Sequence, residues 1–365
     1  MKIAIIDADL IGKKKHRFPN LCCMKISGYH KEVLYDDVEL KMDYNNLNEY
    51  DQVYISKVFT DTIVPDQVLN LKNVKYGGTG FFYDKAPKLP YEIEHHMPDY
   101  HLYDKYVNEK LKSDRRNNYK YYLDYSIGYI TRGCFRHCEF CVNKNYNCVY
   151  ANSAIEEFLD SDRKKICLLD DNFFGYKEWK TELIKIQQTN KKFQFKQGLD
   201  ERLLTDEKCK ILFESNYDED YIFAFDNIDD SDIIKSKLNL IRKYTNKVCK
   251  FYVFCGYDRN NIWDFKFWEK DIFDMMKRIE ILMSYQCIPY IMRYNRYVES
   301  PYAGVYKTVA AWCNQPSIFK NKTLREFGLH TGENTARNKY IVNFENDHSD
   351  FSKYMDMKYP DKSLK

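Results

Sequence analysis

The chain has 365 residues, 44% hydrophobic and 30% charged, so a packed core is available and wholesale disorder is excluded. Its 57 Lys and Arg against 54 Asp and Glu leave a formal charge of +3, too small at this size to advertise nucleic acid as an obligatory partner. No apolar run is long enough to span a membrane, and the start is apolar too briefly for a secretory signal, so a cytoplasmic protein of about two domains is expected.

Residues 1–85 alternate strand and helix signals. A first strand covers 2–7 and ends in acids, a second apolar run covers 52–59, and a third covers 74–81 and ends in the glycine turn Gly77-Gly-Thr-Gly80. Short apolar strands separated by helix-length segments predict a small open parallel sheet with helices packed on it, a Rossmann- or flavodoxin-like arrangement. Residues 86–124 read as a connector, since Pro87, Pro90 and Pro98 break helix and ladder alike and the polar run 113–119 follows. The basic run 13–17 reads as a solvated loop, with a phosphate or nucleic-acid contact as its functional alternative.

From about residue 125 the rhythm becomes regular. Strands are predicted near 127–131, 166–169, 193–196, 221–225, 251–255 and 288–292, spaced for one βα unit each. Amphipathic helices are predicted over 182–187, 208–213 and 272–282, where apolar residues fall three and four apart. Six such units over 125–300 predict a partial (βα)6 barrel of TIM type, with working loops at the strand ends. Residues 301–365 form a C-terminal extension, of which 301–312 could be one more helix.

Of 12 cysteines, Cys167, Cys249, Cys255 and Cys287 lie in or beside apolar strands and read as small core hydrophobes. Adjacent Cys22 and Cys23 read as core or loop residues. Three differ: Gly128-Tyr-Ile-Thr-Arg-Gly-Cys134-Phe-Arg-His-Cys138-Glu-Phe-Cys141 follows the first barrel strand and carries them at C-x3-C-x2-C spacing. Thiolates are the ligands of iron–sulfur clusters, which usually take four, so three leave one iron open to a small molecule. Gly133 permits a tight backbone approach before the first. A structural zinc site would instead recruit a fourth ligand such as His137 or Cys148.

This pattern, with Phe140 before the last cysteine at the first strand of a parallel barrel, resembles the radical S-adenosylmethionine (radical SAM) superfamily over residues 125–300. The resemblance implies that Cys134, Cys138 and Cys141 hold a [4Fe-4S] cluster whose fourth iron is chelated by SAM. It further implies reductive cleavage of SAM to a 5′-deoxyadenosyl radical, which takes hydrogen from a substrate the sequence does not identify. Phe140 matches the aromatic position near the adenine. Asp170, Asp171 and Asn172 end the second strand, where the superfamily usually has a glycine-and-acid motif for the SAM amino group; the glycines are missing here. Gln197, Asp200 and Arg202 end the third strand, where an arginine could pair with the SAM carboxylate. Asp226 ends the fourth strand, Gly256 and Tyr257 the fifth, and Arg293 and Asn295 the sixth. Helix N-capping is the plain structural alternative for the acids.

A small α/β domain before such a barrel is similar to the cobalamin-binding subset of the superfamily, as are the Gly77–Gly80 turn and the connector with Met97-Pro-Asp-Tyr100. The cobalt-ligating pattern Asp-x-His-x-x-Gly is absent: Asp7 and Asp9 have no histidine two residues on. The expectation is a cobalamin-like fold over 1–85 with no histidine ligand to cobalt, and cobalamin is not an expected cofactor. The chain is also similar to a prokaryotic and phage-borne group of radical SAM proteins with Asn-Leu-x-x-Met-Lys-Ile-Ser, which starts here at Asn20 and ends at Ser27. Such chemistry implies a low-potential electron donor such as flavodoxin or ferredoxin as partner. The rival expectations are a non-enzymatic iron–sulfur or zinc-stabilised binding protein, and an RNA-modifying member of the same superfamily.

Overall fold

The computed structural model describes residues 1–13, 16–113 and 119–360; Lys14 and Lys15 of the basic run and residues 114–118 of the polar run lie outside the described residues. The chain divides into two compact units, Met1–Gln194 and Phe195–Lys365.

The first unit opens with a four-stranded sheet of β1 (Lys2–Asp7), β2 (Asp37–Leu40), β3 (Gln52–Ser56) and β4 (Val74–Gly77), in the order β2-β1-β3-β4 and parallel throughout. Side chains alternate across a strand. Ile3 and Ile5 accordingly join a core with Cys23, Met24, Ile26 and Tyr103, while Ala4 and Ile6 join a second core with Val53, Ile55, Val64 and Val68. Both faces of the central strand are covered, which is why it reads as an unbroken apolar run.

The topology switches direction between β1 and β3, the place where open parallel sheets form a crevice. Here that place carries a closed polar network. Tyr103 donates its hydroxyl to Asp7 at 2.9 Å and accepts the Asn20 N–H at 3.1 Å, and Asn20 donates its amide to Ser56 at 3.0 Å. Asn20 also caps the helix Leu21–Glu32 by accepting from the Cys23 N–H. Farther along that helix, Lys25 pairs with Glu94 at 3.0 Å and Ser27 donates to Asp99 at 2.6 Å. The polar positions of the segment from Asn20 to Ser27 thus fasten the helix to the sheet and to the connector.

The same unit continues with β5 (Tyr125–Gly128), β6 (Thr131–Arg132), β7 (Tyr150–Ala151), β8 (Lys165–Leu168) and β9 (Lys192–Phe195). Strands β5, β8 and β9 form a three-stranded sheet in that order, β5 and β8 parallel, while β6 and β7 form an antiparallel ribbon.

In the second unit, β10 (Tyr221–Ala224), β11 (Cys249–Cys255) and β12 (Ile288–Arg293) form a parallel sheet. The helix Ser231–Tyr244 buries Ile234, Leu238 and Ile241, and the helix Phe265–Ser284 buries Trp268, Ile272, Met275, Met276, Ile279 and Leu282, the three-and-four spacing of an amphipathic stripe. The six strands expected in one ladder are therefore hydrogen-bonded as two sheets of three. After β9 the chain bends at Lys196 and Gln197, and Leu199 alone bridges to Phe223.

Beyond residue 300 the second unit is helical. The segment Ala303–Cys313, expected as one more helix, is helical and buries Val305, Tyr306, Val309 and Trp312, and the rest of the C-terminal extension contains the helix Ala336–Asp347. Arg325 ties these pieces together with bidentate contacts to Glu345, at 2.7 and 2.8 Å, and to Asp356, at 2.8 and 2.9 Å. Among the described residues no helix is long and apolar enough to cross a membrane.

Candidate metal centre

The cysteine loop leaves β6 and returns at β7, so the ribbon pairing Thr131 with Ala151 and Arg132 with Tyr150 closes its base. Just above the base, Gly133 has a φ of +91°, and a Cβ on it would lie 2.4 Å from the Cys148 carbonyl oxygen. The two ends of the loop cross there at a distance only glycine allows. Farther out, His137 takes a left-handed φ of 51°, and its Nδ1 hydrogen-bonds the Lys144 carbonyl at 2.9 Å. The Cys141 N–H donates to the Cys138 carbonyl at 2.9 Å, which closes a tight turn between the last two cysteines.

Cys134, Cys138 and Cys141 are half-buried, whereas Cys23, Cys167, Cys209, Cys249, Cys255, Cys287 and Cys313 are buried. Cys134 accepts a hydrogen bond from the Asn172 side-chain amide at 3.3 Å, and Cys141 accepts one from the Asn143 N–H at 3.4 Å. N–H donors aimed at sulfur stabilise thiolates and tune iron–sulfur clusters.

The segment after β8 holds this loop from beneath. Asp170 is 2% exposed and accepts the N–H groups of Ile130 and Thr131, at 3.3 and 2.6 Å, and the Thr131 hydroxyl at 2.7 Å. Asp171 accepts the Gly133 N–H at 2.8 Å and the Asn143 amide at 2.7 Å, gripping both sides of the cysteine run. Burial pushes the Asp170 pKa up to about 7, and burial likewise raises that of Asp171. Asn172 is buried; its amide nitrogen touches Cys134, while its Oδ1 has no hydrogen-bond partner among the described residues.

The turn after β4 holds the loop from the other side. Tyr83, with a φ of 48°, donates its hydroxyl to the Phe140 carbonyl. Asp84 meets Lys144 at 3.3 Å and the Asn145 amide at 3.2 Å. Beside the loop, the Arg132 guanidinium stacks on the Tyr129 ring at 3.4 Å. Sequence reasoning did not single out Tyr83, Asp84, Thr131 or Asn143. Asn143 sits two residues past a ligand-type cysteine and carried a local signal, whereas Tyr83 and Asp84 carried none.

Among the described residues no three His, Cys, Asp or Glu side chains converge on a point that a single metal ion would fill. His137 turns its Nδ1 to Lys144, and the Cys148 thiol is exposed.

In the second unit, Gln197 is exposed on its bend, and Asp200 caps the short turn Glu201–Leu203 by accepting the Arg202 N–H. The Arg202 guanidinium is shared between Asp200 at 2.8 Å and Asp230 at 3.1 Å. Asp226 accepts the Phe254 N–H at 3.1 Å, and burial raises its pKa against the charge of Arg278. Gly256, with a φ of +78°, donates its N–H to Asp271 at 2.7 Å, and Tyr257 packs edge-on to Tyr294.

No family model matches the chain, and no curated protein matches it. Solved structures do. The radical SAM methyltransferase TsrM from Kitasatospora setae, with cobalamin and a [4Fe-4S] cluster bound, superposes with a TM-score of 0.52 at 9% identity, over 80% of this chain and 74% of that one. The same enzyme with tryptophan and a SAM analogue superposes with a TM-score of 0.52 at 10% identity, over 80% and 72%. The likeness is one of fold: an α/β chain with parallel sheets, shared with a radical SAM methyltransferase that binds cobalamin.

Proposed function

We propose that the chain is a radical SAM enzyme in which Cys134, Cys138 and Cys141 hold a [4Fe-4S] cluster. The observation that carries this reading is the Asp171 grip on both sides of a loop that presents three half-buried thiols. Bound there and reduced by an external low-potential donor of the flavodoxin or ferredoxin kind, the cluster would supply the electron that cleaves SAM to methionine and a 5′-deoxyadenosyl radical.

The protein's own part is holding and orienting. Asp170 and Asp171 spend their oxygens on backbone and amide donors, so their role in this reading is to fix the loop and not to receive the SAM amino group. Asn172 has the one buried acceptor left over, and we assign it to that ammonium. Phe140 is assigned to the adenine, its backbone steadied by Tyr83. Gln197, Asp200, Arg202, Asp226, Gly256 and Tyr257 are proposed as further SAM contacts; Arg202 would have to exchange a carboxylate of the chain for that of the ligand. The two three-stranded sheets are proposed to supply the six strands of a partial barrel, and a reducing cytoplasm is the proposed compartment. The reading includes no histidine-ligated corrinoid, because Asp7, Asn20, Ser56 and Tyr103 already satisfy one another at the switch point of the first sheet.

Iron, sulfide and zinc analysis of the anaerobically reconstituted chain tests the reading. Iron and sulfide in equal amounts, near four of each per chain, are expected. Zinc retained without sulfide would replace the reading with the zinc-stabilised alternative.

A further inference from the structure

A second thiol pair lies in the Phe195–Lys365 unit. Cys249 opens β11 and Cys287 immediately precedes β12. The two strands pair in parallel with Lys250 opposite Ile288, so the residues one step earlier, Cys249 and Cys287, also stand opposite each other. Neighbouring parallel strands lie about 4.8 Å apart, within the roughly 4.4–6.8 Å between Cα atoms that a disulfide spans. Opposed residues in register point to the same face; Cys249 donates its S–H to the Lys247 carbonyl and Cys287 its S–H to the Tyr285 carbonyl, each at 3.6 Å.

A fixed cation stands against them. Arg242 donates from Nη2 to the Cys287 sulfur at 3.2 Å, and its Nε and Nη2 hold the Tyr285 carbonyl at 3.0 and 2.8 Å. The neighbouring Cys287 side chain and the Arg242 charge hold the Cys249 thiol below its usual pKa, while burial pushes the Cys287 thiol up. One sulfur is thus readied as a nucleophile and its neighbour kept as the thiol that follows. Both are buried, and the C-terminal Tyr359 reaches the same strand end by donating its hydroxyl to the Gln286 carbonyl at 2.7 Å.

We propose that Cys249 and Cys287 are an oxidisable dithiol that a small peroxide converts to a cross-strand disulfide. The Cys249 thiolate attacks one peroxide oxygen; the S–O bond forms, the O–O bond breaks, and the departing hydroxide takes a proton to become water. The Cys287 sulfur then attacks the Cys249 sulfenic acid; the S–S bond forms, the S–O bond breaks, and the second water leaves with the Cys287 proton. The two thiols lose two electrons and two protons in total, and the peroxide is reduced to two waters. In a reducing compartment a disulfide of this kind forms under oxidant and is reversed by thiols, which is the behaviour of a sensor. The proposal uses none of the cysteine-loop residues and stands apart from the reading above.

The test treats the reduced full-length chain with hydrogen peroxide, then denatures, alkylates and maps the peptides without reduction. The expected product links the Cys249 and Cys287 peptides, reverts with dithiothreitol, and is missing in Cys287→Ser. Arg242→Gln is expected to slow linkage severalfold, because it removes the cation that stands against the two sulfurs. Full alkylation of both thiols at a dose that oxidises the exposed Cys148 would overturn the proposal, as would linkage of Cys249 to any other cysteine. Because the wild-type map decides by itself, a poorly folding variant leaves the outcome readable.

Discussion

The Asp171 carboxylate accepts the Gly133 N–H at 2.8 Å, one residue before the first cysteine of the loop. Its other oxygen holds Asn143, two residues after the last, so a single side chain sets where the cysteine run begins and ends. The carboxylate pays for this with desolvation, which raises its pKa, and Arg132 offsets part of that cost.

Asp171→Ala removes both acceptors. Hydrogen bonds to a charged group contribute roughly 1.5–3 kcal/mol each, and loss of such outer support lowers metal affinity by roughly 10- to 100-fold. The expected outcome is a folded chain that loses most of its iron on gel filtration, read by iron content against the circular dichroism melt. Full iron retention would mean that the loop holds its shape without Asp171.

Gly133→Ala places a methyl group 2.4 Å from the Cys148 carbonyl at a φ of +91°. Strain of this kind costs on the order of 1–3 kcal/mol, and the backbone oxygen cannot swing away as a side chain would. Cluster uptake is expected to fail while the sheets persist. A variant that incorporates iron normally would show that the ends of the loop separate freely.

Burial pushes the Glu201 pKa up to about 8, from an ordinary value near 4.5. Between those two values the folded state keeps a proton that the unfolded state has released, so stability falls as pH rises through this window and is level above it. Glu201→Gln has no proton to lose. Relative to wild type, the variant is expected to gain stability from pH 5 to pH 8.5, by on the order of 1–3 kcal/mol. Parallel melting curves for the two proteins across that range would contradict the assignment.

Asp84→Ala frees Lys144 and Asn145 from the turn after β4. Amide hydrogen exchange is expected to quicken over residues 140–146, with the global melt little changed because the pair lies at the surface. Unchanged exchange there would mean that the Tyr83 hydroxyl on Phe140 suffices.

The strand pattern was legible because most strands are runs of buried residues: Ile3 to Ile6, Ile166 to Leu168 and Tyr221 to Phe223 each read as continuous apolar stretches. β2 was not, since its sequence Asp-Val-Glu-Leu lies at the sheet edge and is only half-covered. The helix Ala336–Asp347 was equally opaque: it buries Asn338, Ile341 and Phe344 among polar neighbours, and its partners arrive from distant sequence through Arg325. At the candidate centre, spacing announced the three cysteines. What spacing cannot express is which acids are spent on the backbone. Asp170 and Asp171, expected as SAM contacts, place their oxygens on backbone and amide donors of the loop, and Tyr83 and Asp84 reach it across more than fifty positions of sequence. The partner of a surface side chain is set by the packing of two elements, and no local pattern encodes it.

The most direct measurement is 5′-deoxyadenosine formation from SAM by the anaerobically reconstituted chain under a low-potential reductant, beside Cys138→Ala handled identically. The account predicts 5′-deoxyadenosine from the wild type and neither cluster nor product from the variant. A Cys138→Ala protein that keeps its cluster and cleaves SAM, or a wild type that assembles a cluster and leaves SAM intact, would contradict it.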